Sequence, residues 1–376
     1  MQKRTVEKLG VTVSRLGFGA MRMPERDGAV DFTAAQELVD CLHQGGVNFF
    51  DTAYFYHNGG SETFLKQALV DRYPRDSYHL SSKLPVGMCR VSDDMNRLFN
   101  LQRERLGVSR IDFYMLHGIG ADEWARDKAL GAPDFLRRLK ADGCIGFHGF
   151  SFHDKPEALA TILDDFPWDF CLLQINYADW FQRGADRLYE AAAQRGVPIF
   201  VMEPVRGGGL TRLPPEMQAI KDSQAPSISS AAWALSFCAS LPRVDVILSG
   251  MSTVEQCREN VKLFAKPLTR DEGDLEAMRR VALAFDKMPS IPCTDCRYCA
   301  NCPQGIDIPR LFSGFNDYNL YQNTWGLEHF YRYEVPDRHK ATACTRCGAC
   351  EAVCPQKIAV MEELARVHNA AARLWE

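Results

Sequence analysis

A (β/α)8 TIM barrel followed by a small, mainly α-helical, cysteine-rich domain is the fold that the sequence predicts, on three observations. From the start to about residue 265, short apolar runs rich in β-branched and aromatic residues alternate with segments of helical period. Eight such units are present, which suits a closed barrel of about 250 residues. Eight of the fourteen cysteines crowd into two short runs near the end.

The strands are expected at Leu16 to Ala20, Asn48 to Asp51, Tyr78 to Lys83, Asp112 to His117, Ile145 to Ser151, Phe170 to Ile175, Pro198 to Met202 and Val246 to Ser249. Among the helices between them, Thr33 to Gln44 carries the apolar stripe Ala35, Leu38, Val39 and Leu42. Thr33 and Gln36 have capping-box spacing there, and Gly45 is a natural stop. Strands that alternate with helices through short connections pair in parallel. Pattern alone leaves an open doubly wound sheet as the alternative, but the dinucleotide fingerprint of that fold is missing, since Gly17-x-Gly19-x-x-Arg22 lacks its third glycine. One more helix is expected at Asp271 to Phe285, and Met288-Pro289-Ser290-Ile291-Pro292 reads as a stiff linker. The chain is thus divided into a barrel over residues 1–288 and a second domain over 289–376, too small and polar to gain much from a core of its own.

Hydrophobic residues make up 46% of the chain and the net charge is −4, which excludes a disordered protein and gives no basic surface for nucleic acid. The charged N-terminus has no apolar run behind it, so an ordinary signal peptide is not expected. No stretch offers the roughly 18 apolar residues of a membrane span. The expected location is the cytoplasm, where abundant cysteine argues for metal ligation or catalysis before disulfides. Cys41, Cys89, Cys144, Cys171, Cys238 and Cys257 are scattered singly and read as small core residues.

The first cysteine run is Cys293-Thr-Asp-Cys296-Arg-Tyr-Cys299-Ala-Asn-Cys302-Pro303, and the second is Cys344-Thr-Arg-Cys347-Gly-Ala-Cys350-Glu-Ala-Val-Cys354-Pro355. Three thiolates spaced by two residues let a tight loop curl round one face of a cubane, with backbone N–H groups aimed at the sulfurs. Structural zinc usually draws its four ligands from two separated C-x2-C knuckles, which these triplets fit poorly. Residues of about 290 to 360 resemble the two-cluster ferredoxin domain, which implies two [4Fe–4S] clusters. The resemblance assigns Cys293, Cys296, Cys299 and Cys354 to one cluster and Cys344, Cys347, Cys350 and Cys302 to the other. The insertion from Gln304 to Ala343 departs from small ferredoxins.

Four residues fall at or just after the carboxyl ends of expected strands, where barrel active sites are built: Asp51, Tyr56, Lys83 and His117. Each alone has a bland reading as a cap, a packed ring, a solvated cation or a core histidine. Together with Phe49-Phe50-Asp51-Thr52-Ala53-x-x-Tyr56, Ser81-Ser82-Lys83 and Asp112-x-x-x-Leu116-His117 they resemble the catalytic tetrad of the aldo/keto reductases. The opening Leu16-Gly17-Phe18-Gly19-Ala20-Met21-Arg22 and Gly149-Phe150-Ser151 are similar to that family too. The resemblance implies that Tyr56 donates a proton to the developing alkoxide, that the Lys83 ammonium favours the phenolate, that Asp51 fixes the lysine and that His117 orients the carbonyl.

It further implies NADPH or NADH as cofactor, with Gly19, Met21 and Arg22 near it and its carboxamide on Ser151 and Gln174. The loop Glu203-Pro204-Val205-Arg206-Gly207-Gly208-Gly209 and the stretch Ser249-Gly250-Met251-Ser252-Thr253, with Gln256 and Asn260, are similar to the family's phosphate contacts. Phe152 stands where an asparagine often follows the serine, and Met202 where an aromatic residue commonly stacks. Gly250 and Gln256 occupy positions at which NADPH-specific members commonly carry lysine and arginine, so NADH is expected to compete. The activity implied is reduction of a small carbonyl compound, or oxidation of an alcohol. Two other readings are a reductase fed single electrons through the clusters by a ferredoxin-like partner, and a non-catalytic redox sensor on a spent barrel.

Overall fold

The computed structural model describes residues 1–374. Its residues group into two compact units, one of Met1–Pro204 with Ala232–Glu272 and one of Val205–Ala231 with Gly273 onward. The stretch Val205–Ala231, which lies inside the barrel segment as the sequence divides it, groups with the C-terminal unit.

The strands β1 (Leu16–Gly19), β2 (Phe49–Asp51), β3 (His79–Leu84), β4 (Ile111–Ile119), β5 (Ile145–Phe152), β6 (Phe170–Gln174), β7 (Ile199–Met202) and β8 (Val244–Ser249) form a closed barrel in sequence order. Every neighbouring pair is parallel, and β8 returns to β1. All eight expected strands are therefore present, each extended or trimmed by one or two residues. Closure removes both sheet edges, which decides against the open sheet.

Aromatic rings fill the barrel, with Phe49 and Phe113 4.9 Å apart and Phe170 stacked on Phe200 at 5.0 Å. The filling explains Gly149 in β5, where an added Cβ would lie 2.7 Å from the Phe170 ring. An antiparallel ribbon of Lys3–Val6 and Val11–Ser14, not expected from the sequence, adds Val6 and Val13 to the same core. The helix expected from Thr33 starts one residue earlier, at Phe32, and its cap is Asp31, whose carboxylate accepts from the Ala34 N–H. Thr33 lies inside the first turn and does not cap it.

In the C-terminal unit, Glu272–Asp286, Ile308–Tyr321, Thr324–His329 and Val360–Ala372 are helices. Its core is larger than its composition suggested: Ile291, Ile306, Leu311, Phe312, Phe315, Leu327, Tyr331, Leu364 and Val367 are buried together. Much of it comes from helices formed by the insertion between the cysteine runs. Among the described residues no helix is long and apolar enough to cross a membrane.

Candidate active site and iron–sulfur centre

Strand register assembles the site. Asp51 on β2 lies beside Ser81 on β3, and two residues further along β3 is Lys83. Lys83 lies beside Met115 on β4, and two residues on is His117; Met115 lies beside Gly149 on β5, and two on is Ser151. Ser151 lies beside Leu172 on β6, two before Gln174, which pairs with Met202 on β7. Because side chains alternate with a period of two, this stagger turns Asp51, Lys83, His117, Ser151, Gln174 and Met202 to one side of the wall, in steps that climb the barrel.

Asp51 and Lys83 are buried, and the Lys83 ammonium donates to Asp51 Oδ2 at 2.6 Å and to the Thr52 carbonyl at 2.8 Å. Ser81 Oγ donates to the other carboxylate oxygen at 2.9 Å. Burial pushes the Asp51 carboxyl up and the Lys83 ammonium down, and the attraction between them opposes both shifts. Tyr56, just past the end of β2, presents its ring 4.8 Å from the Lys83 Nζ and 6.2 Å, edge on, from the His117 ring. Burial holds the His117 imidazole well below its ordinary value, and the Lys83 charge and His153 add to this. At neutral pH His117 is therefore uncharged. The structure thus brings all four tetrad residues together around one ammonium.

Ser151 Oγ accepts from the Gly118 N–H at 2.7 Å, tying the end of β5 to the residue after His117. Gln174 donates its Nε2 to Asp179 Oδ2 at 2.7 Å. Asn176 caps the short helix Tyr177–Gln182 and also donates to Asp179 and to the Glu203 carbonyl. Asn176 and Asp179 were not anticipated; the Asn-x-x-Asp spacing before Trp180 was the one available signal.

The remaining cofactor candidates fall into two groups. Arg22 donates to Glu203 at 3.1 Å and its carbonyl accepts from Ser252 Oγ at 2.7 Å. A Cβ on Gly250 would lie 3.0 Å from the Arg22 side chain, so a lysine there would displace it. Gln256 accepts from the Ser252 N–H at 2.8 Å, and Asn260 donates to Ser249. Arg22, Gly250, Ser252 and Gln256 thus meet in one cluster, with Asn260 behind it and Gly19 and the half-buried Met21 leading into it on the chain. Gly207 and Gly208 belong to the C-terminal unit and have φ values of 65° and 96°. A Cβ on Gly207 would lie 2.6 Å from the Thr294 carbonyl oxygen, so this glycine is required by the close approach of the first cysteine loop.

The two cysteine runs share one backbone template. Left-handed conformations occur two and four residues after the first cysteine of each, at Asp295 and Arg297 and at Arg346 and Gly348, and again three after the last, at Gly305 and Lys357. The Asp295 and Arg346 N–H groups point at the sulfurs of Cys293 and Cys344, each at 3.4 Å. Burial pushes the Cys299 thiol up to about 12, and its neighbours Cys296, Cys293 and Cys354 add to that. Cys354 of the second run is thus one of the thiols whose charge is felt at Cys299 of the first, the pairing that crossed ligation calls for. Crowded thiols within loops of inward N–H groups fit a metal–sulfur cluster, whose iron stabilises the thiolates. Cys302, Cys344, Cys347 and Cys350 complete the eight; Cys347 is exposed and the other seven are partly buried.

Asp51→Ala should destabilise the fold by about 3–5 kcal/mol at neutral pH, because it leaves a buried ammonium without its counter-charge. Lys83 would then bind its proton more tightly unfolded than folded, so the deficit should shrink as pH rises toward about 10.4. Urea unfolding at several pH values checks both the size and the slope.

The model of the aldo/keto reductase family matches residues 15–275, and that of the 4Fe–4S dicluster domain matches residues 292–359. The NADH-specific methylglyoxal reductase of Escherichia coli is 24% identical over 76% of this chain and 100% of its own length. The L-galactose dehydrogenase of Arabidopsis thaliana is 25% identical over 69% of this chain and 87% of its own. In structure, the holo form of an aldo-keto reductase from Bacillus halodurans superposes with a TM-score of 0.63 at 23% identity, covering 75% of this chain and 96% of that one. A barrel of this family, with its wall residues in register, and a cysteine-rich tail matched separately leave one assignment: the chain belongs to the aldo/keto reductase family of oxidoreductases and carries a C-terminal 4Fe–4S domain.

Proposed function

We propose that the barrel reduces a small carbonyl compound with a nicotinamide cofactor, or oxidises the corresponding alcohol, and that the tail holds two [4Fe–4S] clusters. The observation that carries this reading is the Lys83 ammonium, buried and fixed by Asp51, with Tyr56 and His117 beside it. The nicotinamide, when bound, supplies the hydride. Tyr56 gives its hydroxyl proton to the carbonyl oxygen as negative charge develops there. Lys83 favours the tyrosinate left behind, and Asp51 with the Thr52 carbonyl keeps the ammonium in place. His117, neutral, offers an N–H to the same carbonyl oxygen. Ser151 and Gln174 are the polar groups of the row that suit the carboxamide.

NADH is the preferred cofactor in this reading. Arg22 fills the space in which a side chain at position 250 would reach a 2′-phosphate, and Gln256 is spent on the Ser252 N–H. The eight cysteines take the crossed arrangement, Cys354 with the first run and Cys302 with the second. We further propose that catalysis is confined to residues 1–288 and cluster binding to 289–376, with the clusters serving structure or regulation in place of electron delivery.

Tyr56→Phe should lower carbonyl reduction by about 10²- to 10⁴-fold while nicotinamide binding, followed by fluorescence, stays unchanged. A loss under about tenfold in the chemical step removes Tyr56 as the proton donor. Anaerobically prepared protein should contain about eight irons and eight acid-labile sulfides per chain. Four irons, or stoichiometric zinc, contradicts the two-cluster assignment.

A further inference from the structure

Behind the tetrad lies a polar network that its chemistry leaves unused. Glu62, on the helix Gly60–Leu65, is fully buried. Its Oε1 accepts from Ser82 Oγ at 2.8 Å and from Gln102 Nε2 at 2.6 Å, and Arg105 NH1 lies 3.5 Å from its Oε2. Ser82 is next to Lys83 on β3, and Gln102 Nε2 also reaches the Lys83 carbonyl at 3.0 Å. The Tyr114 hydroxyl donates to Gln102 Oε1 at 2.7 Å, which fixes the amide with its nitrogen toward Glu62 and Lys83. Arg105 in turn lies over the Tyr54 ring at 4.6 Å, two residues before Tyr56.

We propose that Glu62 is a positioning residue of the tetrad: a second buried carboxylate that holds the Lys83 strand end through Gln102, steadies the Tyr56 loop through Arg105, and keeps the Lys83 ammonium charged. The proposal rests on the reductase reading of the barrel. Ser82 and Gln102 donate to Glu62 and Arg105 brings a positive charge to it, which opposes in part the burial that pushes its carboxyl up. Among the described residues Asp51 from β2, Tyr56 from the loop after it and His117 from β4 face Lys83, and Glu62 acts on it from behind β3, where it is bonded to the adjacent Ser82. Of these only Asp51 and Glu62 bring negative charge, and Asp51 is the closer. Asp51 alone would have to offset the burial of the Lys83 charge; Glu62 adds a second, more distant negative charge, itself shielded in part by Arg105.

The test uses full-length protein labelled at lysine Cε, with the Lys83 resonance assigned by Lys83→Met, titrated in wild type and in Glu62→Gln. Loss of the carboxylate should lower the Lys83 titration by about one pH unit. The alkaline limb of carbonyl reduction should move down with it, nicotinamide affinity should hold, and Glu62→Asp should recover part of both shifts. A Lys83 titration unmoved in folded Glu62→Gln overturns the proposal. A titration that moves while the kinetic limb does not upholds the hold of Glu62 on Lys83 and overturns the part of Lys83 in proton transfer, which is the reading beneath. Should Glu62→Gln fail to fold, Glu62→Asp, which keeps the carboxylate but withdraws it from Ser82 and Gln102, must show a smaller shift of the same sign, and no shift there overturns the proposal.

Discussion

A lysine ammonium held at the carboxyl end of a closed barrel, out of water, is the constraint around which this site is organised. Such a charge costs several kcal/mol to bury unless it is paired and its donors are used. Here two of them are used, on Asp51 and on the Thr52 carbonyl. The pairing requires Asp51 and Lys83 to face the same side of adjacent strands, which the Asp51 to Ser81 register provides. Burial keeps the neighbouring His117 neutral and repulsion by the same ammonium adds to this, while the polar groups that buttress the strand from behind converge on another carboxylate, Glu62.

The barrel was legible because parallel strands covered on both faces read as continuous apolar runs, and eight of them survive in the sequence. The meeting of Asp51, Tyr56, Lys83 and His117 was legible because they stood in order at or just after strand ends, where this fold builds its sites. What the sequence withheld has physical reasons. The ribbon of Lys3–Val6 and Val11–Ser14 is short and alternates weakly, and its turn depends on Gly10 at φ 66°. Asp31 in place of Thr33 as the helix cap is a choice between two good caps two residues apart, settled by which oxygen reaches Ala34. Glu62 sits in Ser-Glu-Thr-Phe, a string that resembles any exposed first turn, and its burial follows only from the packing of a separate helix carrying Gln102 and Arg105. The glycines of the 207–209 loop invited a phosphate, and the face of Gly207 is taken by Thr294.

The cysteine-rich tail follows a different logic. Its two runs differ by one residue in their last spacing yet share three left-handed positions, so the backbone template tolerates the deletion. The helices between the runs give it a real apolar core, against which six of the eight cysteines pack. Core burial therefore contributes more to its folding than the composition suggested. A hydride carries two electrons and a cluster passes one, and the tetrad geometry needs no single-electron step. That difference separates the two accounts of the tail, as a scaffold or sensor and as a wire.

The most direct test is a single anaerobic turnover of wild-type protein with nicotinamide deuterated at the transferring position and an aldehyde or ketone that it reduces, following the cluster absorbance and the product together. Direct transfer in the barrel predicts deuterium on the carbinol carbon of the product and clusters unchanged throughout. Deuterium lost to solvent, with the clusters bleaching before product forms, would contradict it.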